Sequence, residues 1–189
     1  MESIKIISDR LLVRPIHMND APAVFLYRSD STVNKYQGWI PESVSDVNDF
    51  ICNRVASEIN MPGTWFQFVI TIQDSGELIG DIGVHFSADN DFQVELGITL
   101  GEEHQGNGYA TEALNEIITY LFNQLGKRRI TASIDPRNSP SVALFERLGL
   151  RKEAHFRESL FMNGEWVDDL VYAMLRDEWN TGRDMIDNE

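Results

Sequence analysis

The stretch with the most chemical content runs from Val94 to Ala110. Val94-Glu95-Leu96-Gly97-Ile98-Thr99-Leu100 is strand-like, and Gly101-Glu102-Glu103-His104-Gln105-Gly106-Asn107-Gly108 is a polar, glycine-bearing loop. Tyr109-Ala110 then opens a run in which Ala110, Ala113, Leu114, Ile117, Ile118, Leu121, Phe122 and Leu125 recur at three-four spacing, the signature of a helix. A strand feeding a helix through such a loop aims free backbone N–H groups and the positive helix end at one point. That junction can hold an anion, and a pyrophosphate suits it. Gly106 and Gly108 allow a tight turn and close backbone approach, although two loop glycines also fit a plain turn. Two known phosphate motifs are excluded. A P-loop needs Lys-Ser/Thr after its last glycine, where Tyr109-Ala110 stands, and a dinucleotide fingerprint needs Gly or Ala where Thr111 stands.

The elements around this junction follow from periodicity and turn chemistry. Leu11–Arg14 reads as a strand stopped by Pro15, Asn19 caps a helix through Ser29, and Ser43 with Asp46 caps a second helix. Trp65–Ile72, Leu78–Phe86 and Phe92–Leu100 read as an antiparallel meander. After the long helix, ended by Gly126, come a strand over Arg129–Ile134 and a helix opened by Pro140 and closed by Gly149. Two further strands, Arg151–Phe161 and Glu165–Leu175, flank Asn163-Gly164, a strong hairpin signal. The order β-α-α-β-β-β-α-β-α-β-β predicts an α+β (mixed α/β) fold. Residues 1–176 form one domain in this reading, and 177–189 a loose polar tail.

Composition narrows the function classes. The chain has 189 residues, 16 basic and 30 acidic, for a formal net charge of −14. One domain of this length buries roughly 70% of its unfolded surface, so it needs no disulfide or metal staple. The acidic balance argues against nucleic-acid binding and against an anionic membrane surface. No run of 18 apolar residues suggests a span, no signal-peptide pattern opens the chain, and a cytoplasmic setting is expected. The lone cysteine, Cys52, reads as a buried structural thiol, and the four histidines lack metal-ligand spacing, so no metal is expected. Trp39, Trp65 and Trp166 read as core or pocket-wall aromatics. One segment breaks the acidic pattern: Lys127–Arg157 holds eight basic and three acidic residues, a local +5.

Gln105-Gly106-Asn107-Gly108-Tyr109-Ala110 resembles the Gln/Arg-x-x-Gly-x-Gly/Ala acetyl-coenzyme A motif of the GNAT superfamily of N-acetyltransferases. Asn138-Ser139-Pro140-Ser141-Val142-Ala143-Leu144-Phe145-Glu146-Arg147-Leu148-Gly149-Leu150 is similar to that superfamily's Asn…Ala-x-x-Leu-Tyr-x-x-x-Gly-Phe segment. Ser8-Asp9-Arg10-Leu11-Leu12-Val13-Arg14-Pro15 resembles the opening of its ribosomal-protein-alanine N-acetyltransferase branch, as does the Asn163-Gly164 hairpin with Asp168 and Leu175. The likeness covers roughly residues 8–176.

The resemblance implies a GNAT-like fold: a twisted, mostly antiparallel central sheet with one splayed parallel strand pair and flanking helices. It implies acetyl-CoA as cosubstrate and coenzyme A as product. The backbone of Ile98, Thr99 and Leu100 would pair with the pantetheine arm, and the N–H groups of Gln105, Gly106, Asn107, Gly108, Tyr109 and Ala110 would hold the pyrophosphate. Asn138 and Ser141 would contact the arm near its sulfur, and the +5 segment would serve the 3′-phosphate.

Transfer to a primary amine needs a base, a stabilised oxyanion and a proton for the departing thiolate. Glu95 matches the strand position where many members place a glutamate and is the favoured base. His85, His104, Glu158 and Asp168 are rivals, and Glu95 also fits a solvated strand position. Backbone N–H groups of Ile98–Leu100 are the expected oxyanion donors. The usual tyrosine of the second motif is Phe145 here, which has no proton to give; Ser141 is the nearest hydroxyl by motif, with solvent as the alternative. The branch resemblance points to a protein N-terminus as acceptor; a polyamine, amino acid or drug, and a non-catalytic coenzyme-binding module, stay open. Homodimers are common in the superfamily.

Overall fold

The chain is described by a computed structural model covering residues 4–186, with side chains to residue 181. Among the described residues the elements run β1 (Ile6–Ile7), β2 (Leu11–Pro15), α1 (Ala21–Arg28), α2 (Val44–Asn53), β3 (Trp65–Ile72), β4 (Leu78–Phe86), β5 (Gln93–Leu100), α3 (Tyr109–Asn123), β6 (Arg129–Ile134), α4 (Ser139–Arg147), β7 (Arg151–Met162), β8 (Glu165–Leu175) and α5 (Arg176–Ile186). The strands form one sheet in the order β1-β2-β3-β4-β5-β6-β8-β7. Every pairing is antiparallel except β5–β6, whose parallel register needs a crossover, and α3 supplies it.

Strand alternation decides the two faces. Val94 and Leu96 of β5 turn into the main core with Phe68, Ile70, Ile82 and Val84, where they meet Leu114, Ile117, Ile118 and Leu121 of α3. Each fully buried Leu or Ile contributes roughly 1.5–3 kcal/mol relative to exposure. A smaller cluster of Ala21, Val24, Tyr27, Val47 and Val69 includes α1 and α2 residues and Val69 of β3. Within that layer, buried Asp81 of β4 accepts hydrogen bonds from Tyr27 Oη (2.5 Å), Arg28 Nε (2.9 Å) and Gln67 Nε2 (2.6 Å), and pairs with Arg28 Nη2.

Local signals mostly act as expected. Ser43 Oγ accepts the Asp46 N–H at 3.2 Å while the Asp46 carboxylate accepts the Ser43 N–H at 2.9 Å, a complete capping box. Asn163 and Gly164 take φ of 51° and 85°, as a tight two-residue hairpin turn requires.

Four expectations change. The first helix does not start after Asn19: a 3₁₀ turn over Met18–Asp20 intervenes, because the Asp20 carboxylate is held by the His17 N–H (2.8 Å) and by Arg14 (2.7 and 2.8 Å). The loose tail is instead α5, anchored by buried Trp179 and by Glu178, which accepts the Leu175 N–H at 2.7 Å; residues 187–189 lie outside the described residues. Cys52 is exposed rather than buried. Of the tryptophans read as core or pocket wall, Trp166 is 61% exposed and sits edge-on to Phe161 at 5.4 Å, and Trp65 is exposed as well.

Candidate active site

The site begins where a sheet ladder ends. β5 and β6 pair only at Gln93↔Arg129, Val94↔Ile130 and Glu95↔Thr131. Beyond that point β5 stays with β4 and β6 stays with β8, so a gap opens between them. The Gly101 N–H donates to Ile79 O at 2.9 Å and the Ser87 N–H to Gln93 O at 3.3 Å, so odd-numbered β5 residues turn their peptide groups to β4. Ile98 and Leu100 therefore face the gap. The expectation that Thr99 offers its backbone there is corrected: its peptide groups belong to the β4 side.

Thr99 contributes differently. Its side chain is buried, and Oγ1 has no hydrogen-bond partner although the residue lines the cleft that fills the gap. That cleft is about 830 Å³. It is lined by Ile98, Thr99, Leu100, Gln105, Gly106, Gly108, Tyr109, Ala110, Asn138 and Ser141, all expected at the site. Glu95 and Asn107 are not in its lining.

The loop at its head is braced at several points. Gly106 and Gly108 take φ of 76° and 82°, a region side-chain-bearing residues avoid, and Gly108 precedes the first turn of α3 without a side-chain cap, leaving that helix end to a ligand. Gln105 Nε2 donates to Leu100 O at 3.1 Å, which ties the loop to β5. Asn107 braces the loop: Nδ2 donates to Gln105 O at 3.1 Å, and its own carbonyl accepts Arg10 Nη1 at 3.2 Å. Arg10 also donates through Nε (2.7 Å) and its backbone N–H (2.9 Å) to the Glu112 carboxylate, which accepts Ser8 Oγ at 2.7 Å as well. Its guanidinium lies 4.5 Å above the Tyr109 ring. Partial burial pushes the Glu112 carboxyl up, but Ser8 and Arg10 outweigh it and hold the group below the usual range.

Asn138 and Ser141 are brought together by helix capping. Asn138 Oδ1 accepts the Ser141 N–H at 3.3 Å and so starts α4 at the edge of the cleft. Phe145, one turn on, is buried in the main core and contributes no hydroxyl.

Glu95 lies on the opposite face of β5 from Val94 and Leu96, between His85 of β4 and Thr131 of β6. Burial raises its carboxyl above the ordinary range, and nearby Asp169 adds to the rise. Asp169 is buried and accepts Ser133 Oγ at 2.7 Å. Two carboxylates thus share one sheet face beside the gap, with no cation paired to either among the described residues. Of the rivals, His85 packs at 5.0 Å against Trp65, and His104 lies 3.4 Å from both Glu77 and Glu103. Asp168 is engaged by His155 (2.7 Å) and the Glu158 N–H (2.9 Å).

Tyr36, Arg137 and Arg147 also line the cleft, and motif reading did not single them out. Both arginines belong to the +5 segment, which was their only signal. Tyr36 sits in the polar loop between α1 and α2, where nothing in the spacing marks it. That loop is held at the cleft by the β7–β8 turn, where Asn163 Nδ2 donates to Gln37 O at 3.5 Å.

Residues 10–151 match the acetyltransferase (GNAT) domain, and the chain belongs to that family of acetyl-CoA-dependent acyltransferases. It is 33% identical over 178 residues to the uncharacterized N-acetyltransferase YnaD of Bacillus subtilis (strain 168), covering 93% of this chain and 99% of that one. It is 29% identical over 185 residues to the [ribosomal protein uS5]-alanine N-acetyltransferase of Escherichia coli (strain K12), covering 95% of each. A GNAT-family acetyltransferase structure from Bacillus anthracis superimposes with a TM-score of 0.81 at 28% identity, over 92% of this chain and 99% of that one. The expected fold, a mostly antiparallel sheet with one splayed parallel pair, is therefore the fold found. The orphaned Thr99 Oγ1, the unpaired β5 edge and the uncapped N-terminus of α3 are what a long, amide-bearing, phosphorylated ligand such as acetyl-CoA requires. No helix among the described residues is long and apolar enough to cross a membrane.

Proposed function

We propose that this chain acetylates the amino group of a protein N-terminus. The observation that carries the reading is the gap between β5 and β6, with Glu95 and Asp169 beside it on one face. A face bearing unneutralised carboxylates favours a cationic acceptor. The activity named for the E. coli relative supports an N-terminal alanine as that acceptor.

Acetyl-CoA supplies the acetyl group as an activated thioester. The N–H groups from Gln105 to Ala110 hold its pyrophosphate, and Arg147 supplies positive charge along the same cleft, where Arg137 is paired with Asp135 and Glu165. The gap-facing peptide groups of Ile98 and Leu100 align its amide arm, with Thr99 Oγ1, Asn138 and Ser141 at the walls. Glu95, acting directly or through one water, takes the proton that an ammonium must lose before it can attack. Its raised carboxyl suits the task, because a base works best with a pKa near the working pH. A gap-facing N–H of Ile98 or Leu100 donates to the carbonyl oxygen as charge develops there. Phe145 offers no hydroxyl, but seven hydroxyl-bearing residues line the cleft: Thr32, Tyr36, Thr99, Tyr109, Thr111, Ser139 and Ser141. We assign the leaving-group proton to Tyr36, since a phenol is much more acidic than an alkyl hydroxyl and the other phenol, Tyr109, lies under Arg10 at the pyrophosphate end of the cleft. Tyr36→Phe is then expected to lower kcat by about 100-fold with the KM for acetyl-CoA nearly unchanged; full activity in that variant would return the role to Ser141 or solvent.

The deciding experiment is thiol release from acetyl-CoA with peptides carrying N-terminal alanine, serine or acetyl-alanine, alongside spermidine and free amino acids. Turnover with the alanine peptide, none with its acetylated form and much slower turnover with spermidine are expected. Preference for spermidine would move the acceptor class to polyamines.

A further inference from the structure

The +5 segment does not act as one patch. Arg137 and Arg147 line the coenzyme cleft, whereas Arg128 and Arg129 sit at the far end of β6. There, with Arg176, Phe92 and Leu175, they line a separate cavity of about 540 Å³. It lies at the starting end of the eight-residue β5, about 25 Å along that strand from the pyrophosphate loop.

The charges in this cavity are unusual for so acidic a chain. Arg129 is neutralised by Glu153. Among the described residues, Arg128 and Arg176 have no acidic partner or side-chain hydrogen bond, although the Arg176 N–H donates to Arg128 O at 3.0 Å and so holds the two residues side by side. Asp177 is the one acidic residue in the lining, and it is exposed. Phe92 is 58% exposed against the same space, and Leu175 is 38% exposed. Two free planar guanidinium groups suit a phosphate, which they can grip in two-point contacts. An exposed aromatic ring beside them offers a stacking surface for a flat, apolar body.

We propose that this cavity binds a phosphate-bearing aromatic ligand, of the nucleoside monophosphate class, at a site separate from the coenzyme cleft. The phosphate lies between Arg128 and Arg176, and the ring system rests on Phe92. The volume falls within the range usual for small-molecule sites.

The test is calorimetric titration of the full chain with AMP while coenzyme A is held at saturation, so that the first cleft cannot take the probe. Adenosine and inorganic phosphate are titrated in parallel. Saturable AMP binding is expected, at least tenfold tighter than either fragment. Arg128→Gln and Arg176→Gln should each weaken it about tenfold, the loss of one charge-assisted contact. Phe92→Ala should bring AMP down to the level of inorganic phosphate. Coenzyme A affinity and the thermal midpoint should be unchanged in all three variants, since the side chains are at the surface. Absence of AMP binding, binding indifferent to the arginine substitutions, or phosphate binding as tightly as AMP would each overturn the proposal. If coenzyme A itself fails to bind, the proposed activity falls, while AMP titration of the unsaturated chain still decides this site.

Discussion

Glu95 shows how a side chain's setting differs from its place in the sequence. Burial and Asp169 both disfavour its charged form, so its folded-state carboxyl titrates above the usual value of about 4.3. If Glu95 is the base, the rising limb of the kcat/KM–pH profile lies above the ordinary glutamate range. Glu95→Gln should remove that limb and lower kcat/KM by about 100-fold or more. Asp169→Asn should shift the limb to lower pH, because one source of repulsion is gone. A limb unmoved in both variants would exclude Glu95. The stability sign is opposite to that of an ion-paired acid. A carboxyl raised on folding favours the protonated state, so its ionisation costs stability as pH rises from the unfolded value through the folded one. Glu95→Gln is therefore expected to melt at or above the wild-type temperature at neutral pH while losing activity.

At the scale of elements, the glycine loop before α3 owes its shape to a residue about a hundred positions away. Arg10, just before β2, holds Asn107 O and Glu112 and covers Tyr109, so the start of α3 is pinned to the sheet edge. Truncation should leave the core intact but loosen the loop. Arg10→Ala is expected to raise the KM for acetyl-CoA about tenfold, with kcat and the acceptor KM little changed, measurable by steady-state kinetics. Its effect on stability should be small, because exposed ion pairs contribute only about 0–1 kcal/mol. A conservative Arg10→Lys restores charge without the forked contacts and should rescue only partly. The sequence carried Arg10 only as part of a family-like opening; its partner is visible only once β2 and α3 are adjacent.

For the whole molecule, the α1–α2 layer is fastened to the sheet by Asp81. Its carboxylate serves Tyr27, Arg28 and Gln67, and nearly all of that group is out of water. Burial alone would lower the Arg28 guanidinium; Asp81 reverses that and raises it, and the Tyr27 phenol is pushed far up by burial and by the adjacent carboxylate. Removing the partner strands a buried cation, so Asp81→Ala should destabilise the fold by about 3–5 kcal/mol in urea unfolding. The overall charge of −14 acts at the same scale. With an anionic cosubstrate met locally by Arg147, the acidic remainder can draw in a cationic acceptor. The acceptor kcat/KM is expected to fall steeply between 50 and 300 mM added salt, conditions of about 14 to 6 Å in screening length. A flat response would limit the charge to solubility.

Strand alternation, the capping box at Ser43, the Asn163-Gly164 turn and the three-four spacing of α3 were all legible in the sequence, because each depends on neighbours within a few residues. The glycine loop and Asn138 were legible for the same reason: backbone conformation and helix capping are local. Other features depended on the tertiary structure. α5 escaped reading because, among its described side chains, Trp179 alone is buried, too little to mark an apolar face. Tyr36 and Arg147 come from separate segments that only the folded sheet brings to one cleft, and the Arg10–Glu112 clamp likewise joins segments far apart in the chain. The sequence by itself determined most of the elements and the glycine-bearing turn before α3, since propensity, turns and caps are short-range. Only the tertiary structure decided which strands part, which peptide groups face the gap, how the +5 segment divides between two cavities, and what shifts Glu95. Those properties arise from burial and from charges far apart in the chain.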